Sequence, residues 1–418
     1  MPEYKIRICD LKFTLIAIYI TSKMLWDTIP YVFELLFWLI VLWDAFDYIY
    51  ISIKEKKNTK IILMTVIICS YIFCNAFVQD SLKQLSRSIY EYIVYMMVMF
   101  YFIKERKKLQ LILCLKWITH WGIFIAVLTW IEYITKRYIL TDLSMYGRIL
   151  NVGENGFRAA VFTRSFLSHG VVLGIFTVMF LYLWYELGSK KYLVGGGFCY
   201  LSILATGSRG PLVAFLCAII FFYYAEAFLI RKQSSKKSKF VLAGLMGVLA
   251  LGILLMIDVD PTSSAASYFV YRIQNIFNWK GDAGNSGRLL LWKNAINNWF
   301  LKASVFGIGP SKTGSWGEGS LGVTESGILK RLCELGVVGF VLFYAFILYI
   351  IVRCIKFCTY QSKKEAVFWL SMVIGIFIND ITVQSTEEIM VAFWWWCALG
   401  AIYYLKTNKN HKVKEYRI

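Results

Sequence analysis

Long apolar runs, each near the thickness of a bilayer's hydrocarbon core, recur along the chain and are separated by short polar breaks. They begin near Phe13, Tyr31, Ile61, Leu85, Leu109, Val161, Tyr192, Pro211, Phe240, Ile328, Ala366 and Ile389. Continuous runs of about 20 residues suit helices, whereas a membrane barrel would show short alternating segments. The pattern therefore predicts an all-α polytopic membrane protein with about 12 transmembrane helices, the first of them short.

The polar breaks carry a second signal. Basic clusters fall at 54–60 (KEKKNTK), 104–108 (KERKK), 189–191 (SKK), 231–239 (RKQSSKKSK) and 353–364 (RCIKFCTYQSKK), and in the tail from Lys406. Each follows an even-numbered run, so all share one side, which the positive-inside rule makes cytoplasmic. Both termini are then expected inside. The expected division is residues 1–257 for helices 1 to 9, 258–326 for a long extracytoplasmic loop, 327–405 for helices 10 to 12, and 406–418 for a basic cytoplasmic tail.

Composition sharpens this picture. In 418 residues, 58% are hydrophobic and 17% aromatic, more apolar surface than a single soluble core would hide. The net charge of +19 reports topology rather than nucleic-acid binding, because the Lys and Arg residues concentrate in the loops. The ten cysteines lack both a paired framework and metal-ligand spacing. The N-terminus enters the first run with no small-residue cleavage site, so no signal peptide is expected to be removed.

A connection of nearly 70 residues exceeds ordinary helix-to-helix lengths, and such loops are usually functional. Within it, Leu289, Trp292, Ile296 and Trp299 recur at helical spacing, with Arg288, Lys293, Asn294, Asn297 and Asn298 on other faces. The pattern predicts an interfacial helix with Trp292 and Trp299 toward lipid at headgroup level. A glycine-rich turn, FGIGP, follows it.

Three arginines fall on the predicted outer side: Arg164, Arg209 in the tight turn GSRGP, and Arg288. An arginine at a helix end can simply snorkel. A guanidinium fork also matches phosphate oxygens and stays charged in a dry site, so a lipid-linked phosphate or diphosphate is the expected ligand. Further on, Thr324 is placed to cap the next helix, with Glu325 in its first turn, where the helix dipole favours a carboxylate. His169, Asp380, Glu387 and Glu388 are candidate sugar or acceptor contacts; Trp394 to Trp396, which follow, could contact sugars with the acidic residues, though tryptophans at the start of a span are usually interface anchors. The Asp258 to Asp260 stretch, DVD, is suggestive of a metal pair, but it lies on the outer side, where nucleotide sugars are scarce. No metal and no cofactor are expected.

The order GSRGP, then GRLLLWKNAINNWFLKASVFGIGP, then TESGILKRLCELGVVG resembles the O-antigen ligase and polymerase superfamily. The resemblance implies a fold similar to membrane glycosyltransferases of the GT-C type, in the cytoplasmic membrane of a bacterium, with an extracytoplasmic active site. It implies an enzyme that joins glycans delivered on polyprenyl diphosphate, in which Arg209 and Arg288 match the arginines that hold the donor. Many members have histidine where this chain has Glu325, which points to a repeat-unit polymerase of capsule, exopolysaccharide or O-antigen synthesis rather than a ligase. Glu325 is then the expected base, in a metal-independent inverting transfer. The expected partners are the lipid-linked donor and acceptor, membrane lipid and a chain-length regulator. A flippase is the rival of another class, but it would place charges near the membrane midplane and often show repeated halves.

Overall fold

The computed structural model describes residues 7–22, 32–79, 82–106, 108–139, 157–163, 165–225, 283–302, 304–313, 324–357 and 363–407. Their regular structure is entirely helical. In order the elements are α1 (Ile8–Thr21), α2 (Val32–Lys54), α3 (Thr59–Gln79), α4 (Leu82–Ser88), a π-helical turn (Ile89–Val94), α5 (Tyr95–Arg106), α6 (Leu111–Thr135) and α7 (Phe166–Leu187). There follow α8 (Lys190–Ala205), α9 (Arg209–Ala225), α10 (Ala283–Lys302), α11 (Gly327–Phe357), α12 (Lys363–Thr382), a 3-10 turn (Ser385–Glu387) and α13 (Ile389–Thr407).

Six helices among the described residues are long and apolar enough to cross a membrane, while Arg209–Ala225 and Ile389–Leu405 are apolar but shorter. The expected run from Phe240 lies outside the described residues, as do Asp258, Asp260 and the tail from residue 408. The 14 residues of α1 and 16 of α8 are helical, yet fall short of the roughly 20 that a perpendicular crossing needs.

Helix α7 runs through the interior, packed by α6, α8, α9, α12 and α13. Small residues let its neighbours approach closely: a Cβ on Gly174 would lie 2.1 Å from the Phe215 ring, and one on Gly122 would lie 2.7 Å from Phe176. Helix α13 is buried nearly all round, and Trp394 is fully enclosed near Phe13. The three consecutive tryptophans, expected as interface anchors, are instead core residues, because α13 is wrapped by α5, α11 and α12.

Ion pairs and hydrogen bonds sort the helix ends into two groups. At one end Lys104 meets Asp47 at 2.7 Å, Arg106 meets Glu365 at 2.6 Å, Lys364 meets Glu186 at 3.6 Å, and Tyr403 donates to Asn58 at 2.9 Å. These contacts gather the basic loops after α2, α5 and α7 and the start of α12. At the opposite end Ser88 donates to the Pro310 carbonyl, Gly210 abuts Thr382, and Arg331 reaches Thr386. The candidate residues lie there.

Candidate functional site

The FGIGP turn and the CELG stretch of α11 form one backbone knot. Gly336, with φ 62° and ψ −176°, breaks α11 and frees the peptide groups on either side. The turn supplies their partners. Ile308 and Gly309 donate to the carbonyls of Cys333 and Glu334 at 3.0 and 3.1 Å, and Val337 and Val338 donate back to Ser304 and Val305 at 3.0 and 3.2 Å. Tyr71 donates to the Leu335 carbonyl at 2.6 Å, and Asn75 donates to that of Phe306 at 2.6 Å. A buried helix break is tolerated only when its peptide groups are paired in this way.

The knot fixes α10 against α11. Trp299 and Ile308 pack on the buried pair Ala295 and Cys333, and half-buried Trp292 precedes them on the same helix face. Trp292 and Trp299 therefore do not point away from the protein as expected. The strongly exposed apolar side chains of α10 are Leu290, Phe300 and Leu301, at 59%, 70% and 78% exposure. The apolar stripe is real, but the Trp299 indole serves the contact with α11.

Arg288 lies early in α10, and its Nε donates to Glu325 Oε2 at 2.8 Å. The two residues are 37 positions apart in sequence. Glu325 is not in the first turn of α11: the helix begins at Gly327, and Glu325 precedes it with φ 47°. The capping oxygen is that of Ser326, accepting from the Leu329 N–H at 3.3 Å, rather than that of Thr324. Thr324 donates to the Ser326 carbonyl at 3.1 Å and accepts from Gln384. A non-glycine residue in the left-handed region costs about 1–2 kcal/mol, and these bonds hold it there.

One turn into α11 lie two cations absent from the sequence-based candidates. Half-buried Arg331 pairs with Asp380 at 2.6 Å, and donates to the Tyr344 hydroxyl at 3.2 Å and the Gly327 carbonyl at 3.1 Å. Lys330 sits among carboxylates: Glu387 at 2.7 Å, Glu91 at 2.9 Å and Glu334 at 3.8 Å. Burial pushes the Glu387 carboxyl up, to about 8, with the Lys330 ammonium pulling against it. Charged residues within an apolar span were the signal that could have found this cluster.

Glu334 is fully buried and accepts from Tyr92 Oη at 2.5 Å, Thr313 N at 2.9 Å and Thr313 Oγ1 at 2.9 Å. Tyr92 and Glu91 come from the π-helical turn, a feature that recurs at functional sites. Replacing Glu334 with Ala orphans buried donors at about 1–3 kcal/mol each. The expected result is a melting temperature several degrees lower for the purified protein in detergent; an unchanged value would contradict this anchoring role.

The remaining candidates are dispersed. Arg209 opens α9, and the turn before it is held by Arg158, which donates to the Thr206 and Gly207 carbonyls at 3.1 and 2.8 Å and stacks on Phe166. Arg164 lies outside the described residues. His169 is fully buried in α7 and bonds Thr129 Oγ1 at 2.8 Å, with no contact to Arg288 or Glu325 among the described residues. Asp380 also accepts from the Thr386 N–H and Oγ1 at 3.2 and 2.9 Å, so the Arg331 lock occupies it. The Glu388 carbonyl receives the Val391 and Ala392 N–H groups at the start of α13.

The three groupings that matter are thus a surface pair, Arg288 with Glu325; a part-buried lock, Arg331 with Asp380; and a mixed-charge cluster around Lys330. No curated protein matches the chain in sequence. Residues 194–344, which hold Arg209, Arg288, Glu325, Lys330 and the Gly336 break, match the family model described as O-antigen ligase, consistent with the O-antigen ligase and polymerase superfamily.

Proposed function

We propose that this protein polymerises polyprenyl-diphosphate-linked oligosaccharide repeat units on the outer face of the cytoplasmic membrane. The observation that carries the reading is the 2.8 Å contact between Arg288 and Glu325, at the end of the helices away from the basic loops. The family match supports glycan transfer of the ligase or polymerase type. Only Nε of Arg288 is engaged among the described residues, which leaves both Nη groups as a fork for phosphate oxygens.

In the proposed step an acceptor hydroxyl attacks the anomeric carbon of the donor. Its proton passes to a Glu325 carboxylate oxygen as the new glycosidic bond forms. The bond from the anomeric carbon to the diphosphate oxygen breaks, and its electron pair leaves with polyprenyl diphosphate. Arg288 stabilises the negative charge gathered by the leaving group, an interaction stronger in the transition state than in the bound substrate. A single displacement inverts the anomeric centre.

Purified protein supplied with lipid-linked repeat units should give a ladder of chain lengths, and EDTA should leave its rate unchanged. The family description favours a second reading, transfer of a finished glycan to a lipid or protein acceptor. No ladder, together with transfer to a different acceptor, would establish that reading instead. Loss of the ladder in EDTA would overturn the metal-independent step.

A further inference from the structure

Immediately inside Glu325 the helices leave a cleft. Its walls include Glu91, Lys330, Thr386, Glu387, Trp395 and Trp396, and Gly327, two residues on from Glu325, contributes to the same lining. Four elements meet there: the π-helical turn, α11, the 3-10 turn and α13.

The chemistry of this cleft selects among ligands. A cation is disfavoured, because the Lys330 ammonium already lies within 3 Å of carboxylate oxygens on Glu91 and Glu387. An anion is disfavoured by those same carboxylates, with Glu334 behind them, because Arg331, the other cation of the lining, is already paired with Asp380. Neutral hydrogen-bonding groups suit it, since carboxylates accept from hydroxyls and an indole N–H donates to them. Trp395 is 4% exposed, and its Nε1 has no hydrogen-bond partner among the described residues, so it is available as a donor. Glu387 Oε1, although ion-paired with Lys330, likewise lacks a hydrogen bond of good geometry. Aromatic walls with a few converging polar groups are the usual make-up of a small-ligand site.

We propose that this cleft is a sugar subsite, holding the hydroxyl edge of one neutral ring of the lipid-linked glycan while Arg288 holds the diphosphate. Glu387 and Glu91 accept from ring hydroxyls that enter this narrow cleft, and the Trp395 N–H donates to a ring oxygen. The assignment rests on the glycan-transfer reading and deepens it. It places specificity for the repeat unit in residues distinct from those that recognise the diphosphate.

The test measures binding to the full-length protein in nanodiscs with three probes. These are undecaprenyl diphosphate, the lipid-linked repeat unit purified from cells lacking this gene, and the free oligosaccharide released from it by mild acid. Glu387→Gln and Trp395→Phe should each weaken the lipid-linked repeat unit about tenfold, the worth of one hydrogen bond to a charged or buried partner. Binding of undecaprenyl diphosphate should stay as in wild type, which also certifies that the variants are folded. A parallel loss for the free oligosaccharide assigns the ring to an acceptor held independently of lipid; a loss confined to the lipid-linked form assigns it to the donor. Equal weakening of all three probes, or none at all, overturns the subsite. Failure of the wild type to bind undecaprenyl diphosphate, or no effect of Arg288→Ala on that binding, would instead overturn the underlying reading.

Discussion

Glu325→Gln protein is expected to bind donor as wild type does and to elongate it about 10²- to 10⁴-fold more slowly, the usual contribution of a positioned general base. Gln keeps the size of the side chain and can still accept from Arg288 Nε, so the local fold should survive. What it loses is the capacity to take the acceptor's proton. The measurement is the rate of ladder formation at saturating donor, beside the affinity for undecaprenyl diphosphate. Arg288→Ala should behave differently, losing donor affinity as well as rate, because it removes the proposed phosphate ligand and the partner that holds Glu325. Arg288→Lys should rescue only part of the rate, since an ammonium cannot offer the planar fork. Full activity in Glu325→Gln would remove Glu325 from the chemistry.

The largest stability effect should come from the helix break. A Cβ on Gly336 would lie 2.3 Å from the Val305 carbonyl oxygen, and one on Gly307 would lie 2.1 Å from the Glu334 carbonyl oxygen. Both glycines have positive φ, and both would-be clashes are with backbone, which cannot rotate aside. Four cross-chain peptide hydrogen bonds depend on that close approach. Each peptide group left unpaired costs about 1–3 kcal/mol, so Gly336→Ala and Gly307→Ala should cost more than about 4 kcal/mol, the exceptional end of single substitutions. The expected outcome is little or no monodisperse protein after extraction. Gly197→Ala, where nothing lies within 4 Å, is the control and should express as wild type. Normal yield and melting temperature for Gly336→Ala would show that α11 can close its break.

Much of the framework was legible because bilayer thickness imposes a length on apolar runs. The described runs from Tyr31, Ile61, Leu109 and Val161 each coincide with a helix able to span a membrane. Arg288 and Glu325 were each legible from residue type and motif, but not their contact, because no periodicity links positions 37 apart. Lys330 was obscured by the leucines around it: Leu329, Leu332 and Leu335 read as an apolar stripe, and nothing local announces that Glu91 and Glu387 arrive to neutralise the cation. The π-helical turn that brings Glu91 and Tyr92 inward is a six-residue change of winding that the residue pattern does not announce. Trp394 to Trp396 were misread because enclosure by other helices, not position along the span, decides whether an indole meets lipid. The exposed side of α10 was misassigned for a similar reason, since contact with Cys333 turns Trp299 inward.

The pairing of the FGIGP turn with Gly336 also bears on how such a chain can diversify. Residues 304–309 are fastened to 333–338, and Arg288 is fastened to Glu325. Thr313 and Thr324 are each tied down as well, the first to Glu334 and the second to Gln384. The residues between Thr313 and Thr324 thus connect two anchored points, and insertions or deletions among them need not alter the distance from guanidinium to carboxylate. A lineage could change the length of that segment and inherit the Arg288–Glu325 contact intact.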